Sequence, residues 1–97
     1  MEGILDVWSG FLNLGTWSKR YFVLSENILT ICKKKGGDMQ AKIHMKVATI
    51  DPMDNDQRQF IIHTGINKFY IRTATSENKH KWISLLLFNK ESSTERF

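Results

Sequence analysis

The chain has 97 residues and a formal net charge of +4, and 41% of its residues are hydrophobic. This length predicts one domain with a modest hydrophobic core. No apolar run approaches the roughly 20 residues that a membrane-spanning helix needs, and the opening MEGILDVW lacks the basic and apolar regions of a secretory signal. The single cysteine, Cys32, excludes an internal disulfide and a cysteine-based zinc site, and it favours a reducing, cytoplasmic setting.

The positive charge is concentrated in one segment. Residues 33–46 contain five lysines and one acid, a net charge of +4 that equals the charge of the whole chain. The rest of the sequence is therefore neutral. A basic segment in a neutral background indicates an anionic partner, which could be a phosphate group, a nucleic acid or an acidic membrane.

Seven short strands are predicted first. Runs rich in β-branched and aromatic residues alternate with clusters of Gly, Pro, Asn and Asp, which are typical of turns. The predicted strands cover residues 3–8, 17–25, 28–34, 41–45, 47–50, 59–64 and 68–73. This number of strands at close spacing predicts a mainly β fold, either a barrel or a sandwich made from a strongly bent antiparallel sheet.

The loop between the first two predicted strands is unusual. It carries Phe11, Leu12 and Leu14 between two glycines, although a turn between strands should be polar. These side chains could fold back over the barrel as a satellite core. We favour a wedge that enters the acyl boundary of a membrane, because an exposed apolar patch otherwise promotes aggregation.

In the second predicted strand, alternation separates two faces. Phe22 and Leu24 share a face with Arg20, whereas Lys19 points to the opposite face. We expect Phe22 and Leu24 to lie in the core of the domain, together with Trp82 from the last element.

The last element is a predicted helix over residues 76–89, which contain no Gly or Pro. Trp82 and Leu86 recur there at helical spacing. Ser76 is a suitable N-cap, and Thr75 is nearly as good. We expect the helix to close one end of the bent sheet. The domain is then expected to cover residues 1–91, followed by a polar tail over residues 92–97.

The other end of the barrel is expected to remain open. Its rim would include the apolar loop and the lysine-rich loop that follows the third strand. Stable membrane anchoring takes two signals, and one rim would supply both an apolar and a basic one. This pairing predicts membrane binding more strongly than the charge alone.

Three features together resemble a pleckstrin homology (PH) domain: the opening MEGILDVW, the strand WSKRYFVL, and the single Trp82 of the closing helix. The resemblance covers residues 2–90. Within that family, the opening and the apolar loop most resemble the lipid-transfer group of oxysterol-binding proteins, the ceramide transfer protein and the four-phosphate adaptors.

This resemblance implies a peripheral membrane-targeting module of a lipid-transport protein. Its expected ligand is phosphatidylinositol 4-phosphate on the cytoplasmic side of Golgi-type membranes. Members of that group often use an Arf-type small GTPase as a co-receptor.

The resemblance also implies which residues contact phosphate. The arginine of the family's second strand corresponds to Arg20, whereas the lysine that usually precedes the first-strand tryptophan is replaced by Val7. The headgroup site is therefore expected to draw on a shifted set of residues: Arg20, Lys19, Lys33, Lys35, Lys42 and His44. Because of Val7, a second hypothesis stays open, namely a protein-interaction module of the same fold that binds a small GTPase or a peptide with little lipid specificity.

Other classes of function fit the sequence poorly. It has no Gly-rich phosphate loop, no nucleophile elbow and no His-Glu-x-x-His motif, so we expect neither enzymatic activity nor a cofactor. The histidines and aspartates lack the spacing of a metal site. Binding of single-stranded nucleic acid would need aromatic side chains along a strand face. We expect a monomer without a nucleic-acid partner.

Overall fold

The computed structural model describes residues 1–11 and 14–92, with Phe11 and residues 90–92 described by their backbone only. The elements in chain order are β1 (Glu2–Phe11), β2 (Leu14–Ser25), β3 (Ile28–Cys32), β4 (Met39–His44), a 3-10 helix (Met45–Val47), β5 (Thr49–Asp51), β6 (Gln59–His63), β7 (Lys68–Arg72) and α1 (Ser76–Ser92). In the described part of the chain, no helix is both long enough and apolar enough to cross a membrane.

The seven strands form one antiparallel sheet in the order β4-β3-β2-β1-β7-β6-β5. The sheet curls into a half-barrel whose two edges are β4 and β5, and α1 packs against its inner face. The predicted fold class is thus confirmed. The two halves of the sheet are joined by a short β1–β7 ladder that pairs Asp6 with Arg72 and Val7 with Ile71.

The core lies between the curled sheet and α1. Phe22 and Leu24 face inward from β2, and Trp82 reaches them from the helix; all three are buried. The rings of Phe22 and Trp82 meet edge to face with their centroids 6.1 Å apart, an arrangement that aromatic pairs prefer. The alternation seen in the sequence therefore reports the buried face of β2 correctly.

The first hairpin corrects the predicted loop over residues 9–16. β1 continues to Phe11 and β2 begins at Leu14, with Gly10 paired to Gly15 and Phe11 to Leu14. The extension is possible because the indole of Trp8 lies over the glycine pair: a Cβ at Gly15 would be 2.5 Å from Trp8 Cζ2. Only residues 12 and 13 remain to connect the strands.

The predicted wedge is only partly visible in this hairpin. Leu12 and the side chain of Phe11 lie outside the described residues. Leu14 is described, and its side chain is 81% exposed. The hairpin therefore presents at least one large apolar side chain to solvent at its tip.

Among the other element boundaries that differ from the sequence prediction, two have a clear physical cause. Residues 45–47 form a 3-10 turn instead of extending a strand, because Met45 is buried and its N–H donates to the carbonyl of Asn27 over 2.8 Å. The helix is capped by Thr75, whose Oγ1 accepts a hydrogen bond from the N–H of Asn78 at 3.1 Å, and it continues to Ser92. Thr75 thus takes the capping role for which Ser76 was the first choice.

Candidate functional site

A cavity of about 790 Å³ is lined by residues of β1, β2 and β4, of the turn that connects β6 to β7, and of the start of β7. Four of its lining residues carry basic side chains: Arg20, Lys42, His44 and Lys68. We call it the basic cavity. No carboxylate belongs to its lining within the described residues. The cavity therefore has an uncompensated positive potential, which suits an anionic ligand.

Arg20 is the most buried of these cations. It is half-buried and lies on the inner face of β2, two residues before Phe22. Its Nε donates to Oε1 of Gln40 at 2.6 Å, and its Nη1 donates to the carbonyl of Lys19 at 2.8 Å. These bonds use two of the five N–H donors of the guanidinium and fix its plane. The remaining donors can bind a phosphate in a bidentate manner.

A β-bulge brings Gln40 to Arg20. In the β3–β4 ladder, Ile31 pairs with Ala41 and Cys32 pairs with Met39, so Gln40 is an extra residue without a partner in the ladder. A bulge redirects a side chain at the end of a ladder, and here the side chain of Gln40 contacts Arg20. The sequence contains no local signal for this bulge, since it arises from the pairing of two strands.

The wall of the basic cavity is apolar at Val7. This residue lines the cavity and pairs with Ser18 across the hairpin. The position at which the sequence resemblance implied a lysine thus contributes a small hydrophobic surface. Lys68 supplies a cation from β7, on another side of the cavity. Sequence reasoning missed Lys68, because its proximity to β1 depends on the long-range pairing of β1 with β7.

The predicted phosphate-contacting residues divide into three groups. Arg20, Lys42 and His44 line the basic cavity together. Lys19 lies on the opposite face of β2, where its Nζ is 3.8 Å from the carboxylate of Asp6. The loop lysines form the third group, which is exposed and outside the cavity lining: Lys33 and Lys35.

The lysine loop follows β3 and leads directly into the cavity wall at Gln40. It is held by two backbone bonds, from the N–H of Lys33 to the carbonyl of Asp38 and from the N–H of Gly37 to the carbonyl of Lys34. Gly36 has a φ of +72°, a conformation that glycine adopts without strain. The loop therefore presents its lysines as an exposed basic rim next to the cavity.

The outer face of the first hairpin is occupied by an aromatic cluster. The rings of Trp8 and Trp17 meet with their centroids 5.5 Å apart, and the guanidinium of Arg72 lies 4.5 Å from the Trp17 ring. Arg72 also pairs with Asp6 at 2.9 Å. These contacts stiffen the hairpin next to the basic cavity, whose lining includes Trp8.

The comparisons with known proteins identify the domain type. The model of the PH domain family matches residues 1–90. The PH domain of human TBC1 domain family member 2 protein has a TM-score of 0.86 at 17% identity, covering 100% of this chain and 85% of that chain. The PH domain of human oxysterol binding protein-related protein 11 has a TM-score of 0.82 at 20% identity, covering 98% of this chain and 82% of that chain.

A third solved structure contains a bound inositol phosphate. It is the C-terminal PH domain of pleckstrin in complex with D-myo-Ins(1,2,3,5,6)P5, with a TM-score of 0.77 at 20% identity over 93% of each chain. No curated protein matches the chain. At these identities, the likeness to the solved structures concerns the fold.

Proposed function

This chain belongs to the PH domain family, and from that premise we propose that it targets membranes by recognising phosphatidylinositol 4-phosphate in the basic cavity. Members of the family are non-enzymatic modules that bind phosphoinositides or proteins. The observation that carries the proposal is the grouping of Arg20, Lys42 and Lys68 around one cavity whose described lining contains no carboxylate.

The chemistry of the cavity suits a phosphorylated inositol ring. Its volume of about 790 Å³ lies within the range of small-molecule sites. Arg20 offers a preoriented guanidinium, and hydrogen bonds to charged groups are among the strongest in proteins. Ser9, Ser18 and Asn67 add neutral polar groups to the lining, and these can bind the ring hydroxyls.

The apolar wall favours a headgroup with few phosphates. Val7 occupies the position from which a further cation would contact a second phosphate. A second phosphate placed against Val7 would lose its hydration without gaining a charged partner, which is unfavourable. We therefore favour a monophosphorylated lipid over more highly phosphorylated ones. The pleckstrin domain with bound inositol pentakisphosphate supports the general ligand class.

The membrane contact would involve the rim as well as the cavity. The exposed Leu14 and the unobserved side chains of Phe11 and Leu12 would form the wedge, and Lys33 and Lys35 would attract the anionic leaflet, with Lys19 adding to the general positive potential. The likeness to a PH domain of an oxysterol-binding-related protein supports a place in lipid transport. The proposal includes the cytoplasmic face of Golgi-type membranes, with an Arf-type GTPase as an additional partner.

A matched pair of variants tests the proposal. Arg20→Gln and Lys19→Gln each remove one positive charge from adjacent residues of β2, but only Arg20 lines the basic cavity. In sedimentation with vesicles containing phosphatidylinositol 4-phosphate, we expect Arg20→Gln to weaken binding by about tenfold or more, because a charge-assisted bond contributes roughly 1.5–3 kcal/mol. We expect Lys19→Gln to weaken it by no more than about twofold.

Two outcomes would contradict the proposal. If the wild-type protein pelleted equally with and without the phosphoinositide, the cavity would not recognise this lipid. Equal losses in the two variants would show that binding depends on general charge alone. Either result would favour the protein-interaction hypothesis, which the apolar Val7 keeps open.

A further inference from the structure

The turn that connects β6 to β7 exposes a large apolar side chain at its tip. Ile66 is 94% exposed, the highest value among the exposed large hydrophobic residues in the described part of the chain. A turn tip normally carries Gly, Asn, Asp or Ser, which tolerate water and unusual backbone angles. The adjacent Gly65 fits this pattern, with a φ of +92°, but Ile66 does not.

The turn is well ordered despite this exposure. The N–H of Thr64 donates to the carbonyl of Asn67 at 2.9 Å, and the N–H of Asn67 donates to Oγ1 of Thr64 at 3.2 Å. These reciprocal bonds fix the base of a two-residue tip. A partner that buries Ile66 therefore does not have to order the turn first, which lowers the cost of binding.

The turn lies beside the tip of the first hairpin. β1 and β7 are antiparallel, so the start of β7 and the turn before it are adjacent to the end of β1. Lys68 confirms this placement, because it lines a second cavity of about 560 Å³ together with Trp8, Gly10 and Trp17. The exposed Ile66 thus stands near the hairpin that carries the exposed Leu14, and Lys68 lies beside that hairpin.

We propose that the β6–β7 turn is a second membrane-inserting element, with Ile66 entering the acyl boundary of an anionic bilayer while the basic cavity holds a lipid headgroup. This inference rests on the proposed function. The partner that buries Ile66 is a lipid surface, because the exposed apolar side chain adjoins cations. Lys68 follows the turn directly, and no carboxylate lines the basic cavity within the described residues. Apolar tips beside basic side chains match the boundary between acyl chains and anionic headgroups.

Two insertion points would also orient the domain. A single wedge leaves the domain free to rotate about it, whereas a second contact at the neighbouring turn restricts the direction in which the cavity opens. The cavity would then face the leaflet with its lining cations at headgroup depth. Ile66, which is outside the cavity lining, thereby acts on lipid binding without contacting the headgroup.

A matched pair of isoleucines tests this role. Ile66→Thr and Ile4→Thr make the same change at two exposed positions, since Ile4 is 63% exposed on β1. Ile4 is six residues from Gly10, a distance of roughly 20 Å along an extended strand. We expect Ile66→Thr to weaken binding to vesicles with phosphatidylinositol 4-phosphate by about fivefold to tenfold. Ile4→Thr should change it by less than about twofold, and both variants should unfold at the wild-type temperature.

A depth measurement distinguishes this inference from the proposed function. An Ile66→Cys variant in a Cys32→Ser background would carry a polarity-sensitive fluorophore, with Ile4→Cys in the same background as the control. On the same vesicles, we expect a blue shift and quenching by brominated acyl chains at position 66 only.

If the unlabelled wild type bound these vesicles while the label at position 66 stayed in water, the inference would be wrong and the proposed function would stand. If the wild type failed to bind them, both would be wrong. Equal losses in the two threonine variants would also overturn the role of Ile66.

Discussion

Lys79 shows how a single residue can bury a positive charge for a structural purpose. It is only 5% exposed, and its Nζ donates to the carbonyl oxygens of Met53, at 3.0 Å, and of Asp56. Met53 has a φ of 47°, which is unfavourable for a residue with a side chain. Lys79 therefore ties a strained loop to α1, whereas the charge of Arg20 faces a cavity.

Asp56 completes this link between the loop and the helix. Its carboxylate accepts hydrogen bonds from the N–H groups of Arg58, at 2.8 Å, and Gln59, at 2.9 Å. The pKa of Asp56 is held below its ordinary value of 3.8. The largest cause is the hydrogen bond from the N–H of Arg58. The hydrogen bond from Gln59 and the charge of Lys79 act in the same direction, and together these effects outweigh desolvation. These residues form a structural cluster, separate from the basic cavity.

Replacement of Lys79 should destabilise the domain without a direct effect on lipid binding. Lys79→Met keeps the aliphatic length but removes the ammonium group that donates to two carbonyl oxygens. Because these acceptors would stay buried without a donor, the free energy of unfolding should decrease by about 1–3 kcal/mol. Lys81→Met is the control, since Lys81 is exposed on the same helix. Denaturant unfolding should show a lower midpoint for Lys79→Met alone. Equal midpoints would mean that the buried ammonium does not hold the loop.

The first hairpin is the element in which glycine has the clearest steric role. Trp8 covers the Gly10–Gly15 pair, and a Cβ at Gly15 would also lie 2.6 Å from the carbonyl of Ser9. A side chain at this position would displace the indole or bend the hairpin. Because Trp8 also lines the basic cavity, the shape of the hairpin tip and the shape of the cavity are linked.

A substitution at Gly15 tests this packing. Alanine favours folding over glycine through chain entropy, yet Gly15→Ala should lower the stability by about 1–3 kcal/mol through steric overlap. That loss corresponds to a decrease in Tm of about 4–8 °C per kcal/mol for a domain of this size. Gly3→Ala is the control, because its Cβ would lie 3.5 Å from Trp82 Cζ2, an ordinary contact. Thermal unfolding that ranked Gly3→Ala as the less stable variant would refute this account.

The elements also show what the sequence could and could not predict. Alternation in β2 placed Phe22 and Arg20 on the inner face and Lys19 on the outer face, because strand periodicity is a local property. The extended hairpin was missed because Gly10 and Gly15 suggest a loop until Trp8 is seen to cover them.

The parts of the site that depend on strand pairing were not accessible from the sequence. Gln40 reaches Arg20 through a bulge in the β3–β4 ladder, and Lys68 reaches the cavity because β7 pairs with β1. The register of neither strand pair can be predicted from a short window of residues. Sequence reasoning therefore proposed three of the four basic residues around the cavity, together with others that lie outside its lining.

At the scale of the whole molecule, the positive charge has two separate locations. The basic cavity groups the half-buried Arg20 with the exposed Lys42, His44 and Lys68, whereas Lys33 and Lys35 project from an exposed loop outside its lining. Exposed lysines attract any anionic leaflet over a Debye length. Cations that converge on one cavity act most strongly on a ligand that fits it. We therefore expect the rim to control the strength of attraction and the cavity to control the choice of lipid.

This separation predicts different behaviour for rim and cavity variants. A Lys33→Gln/Lys35→Gln double variant should lose about 1 kcal/mol per lysine on anionic vesicles at low salt, whether or not they contain phosphatidylinositol 4-phosphate. The difference in binding free energy between the wild type and the double variant should become smaller at about 1 M salt, where the Debye length is about 3 Å.

The preference for the phosphoinositide over phosphatidylserine should be retained in the double variant and lost in Arg20→Gln, as measured by sedimentation with both kinds of vesicle at both salt concentrations. A double variant that kept its attraction to phosphatidylserine but lost the phosphoinositide preference would place headgroup recognition in the lysine loop. In that case the headgroup would bind outside the cavity, between the loop and the hairpin tip, and Arg20 would serve mainly to hold Gln40 at the bulge.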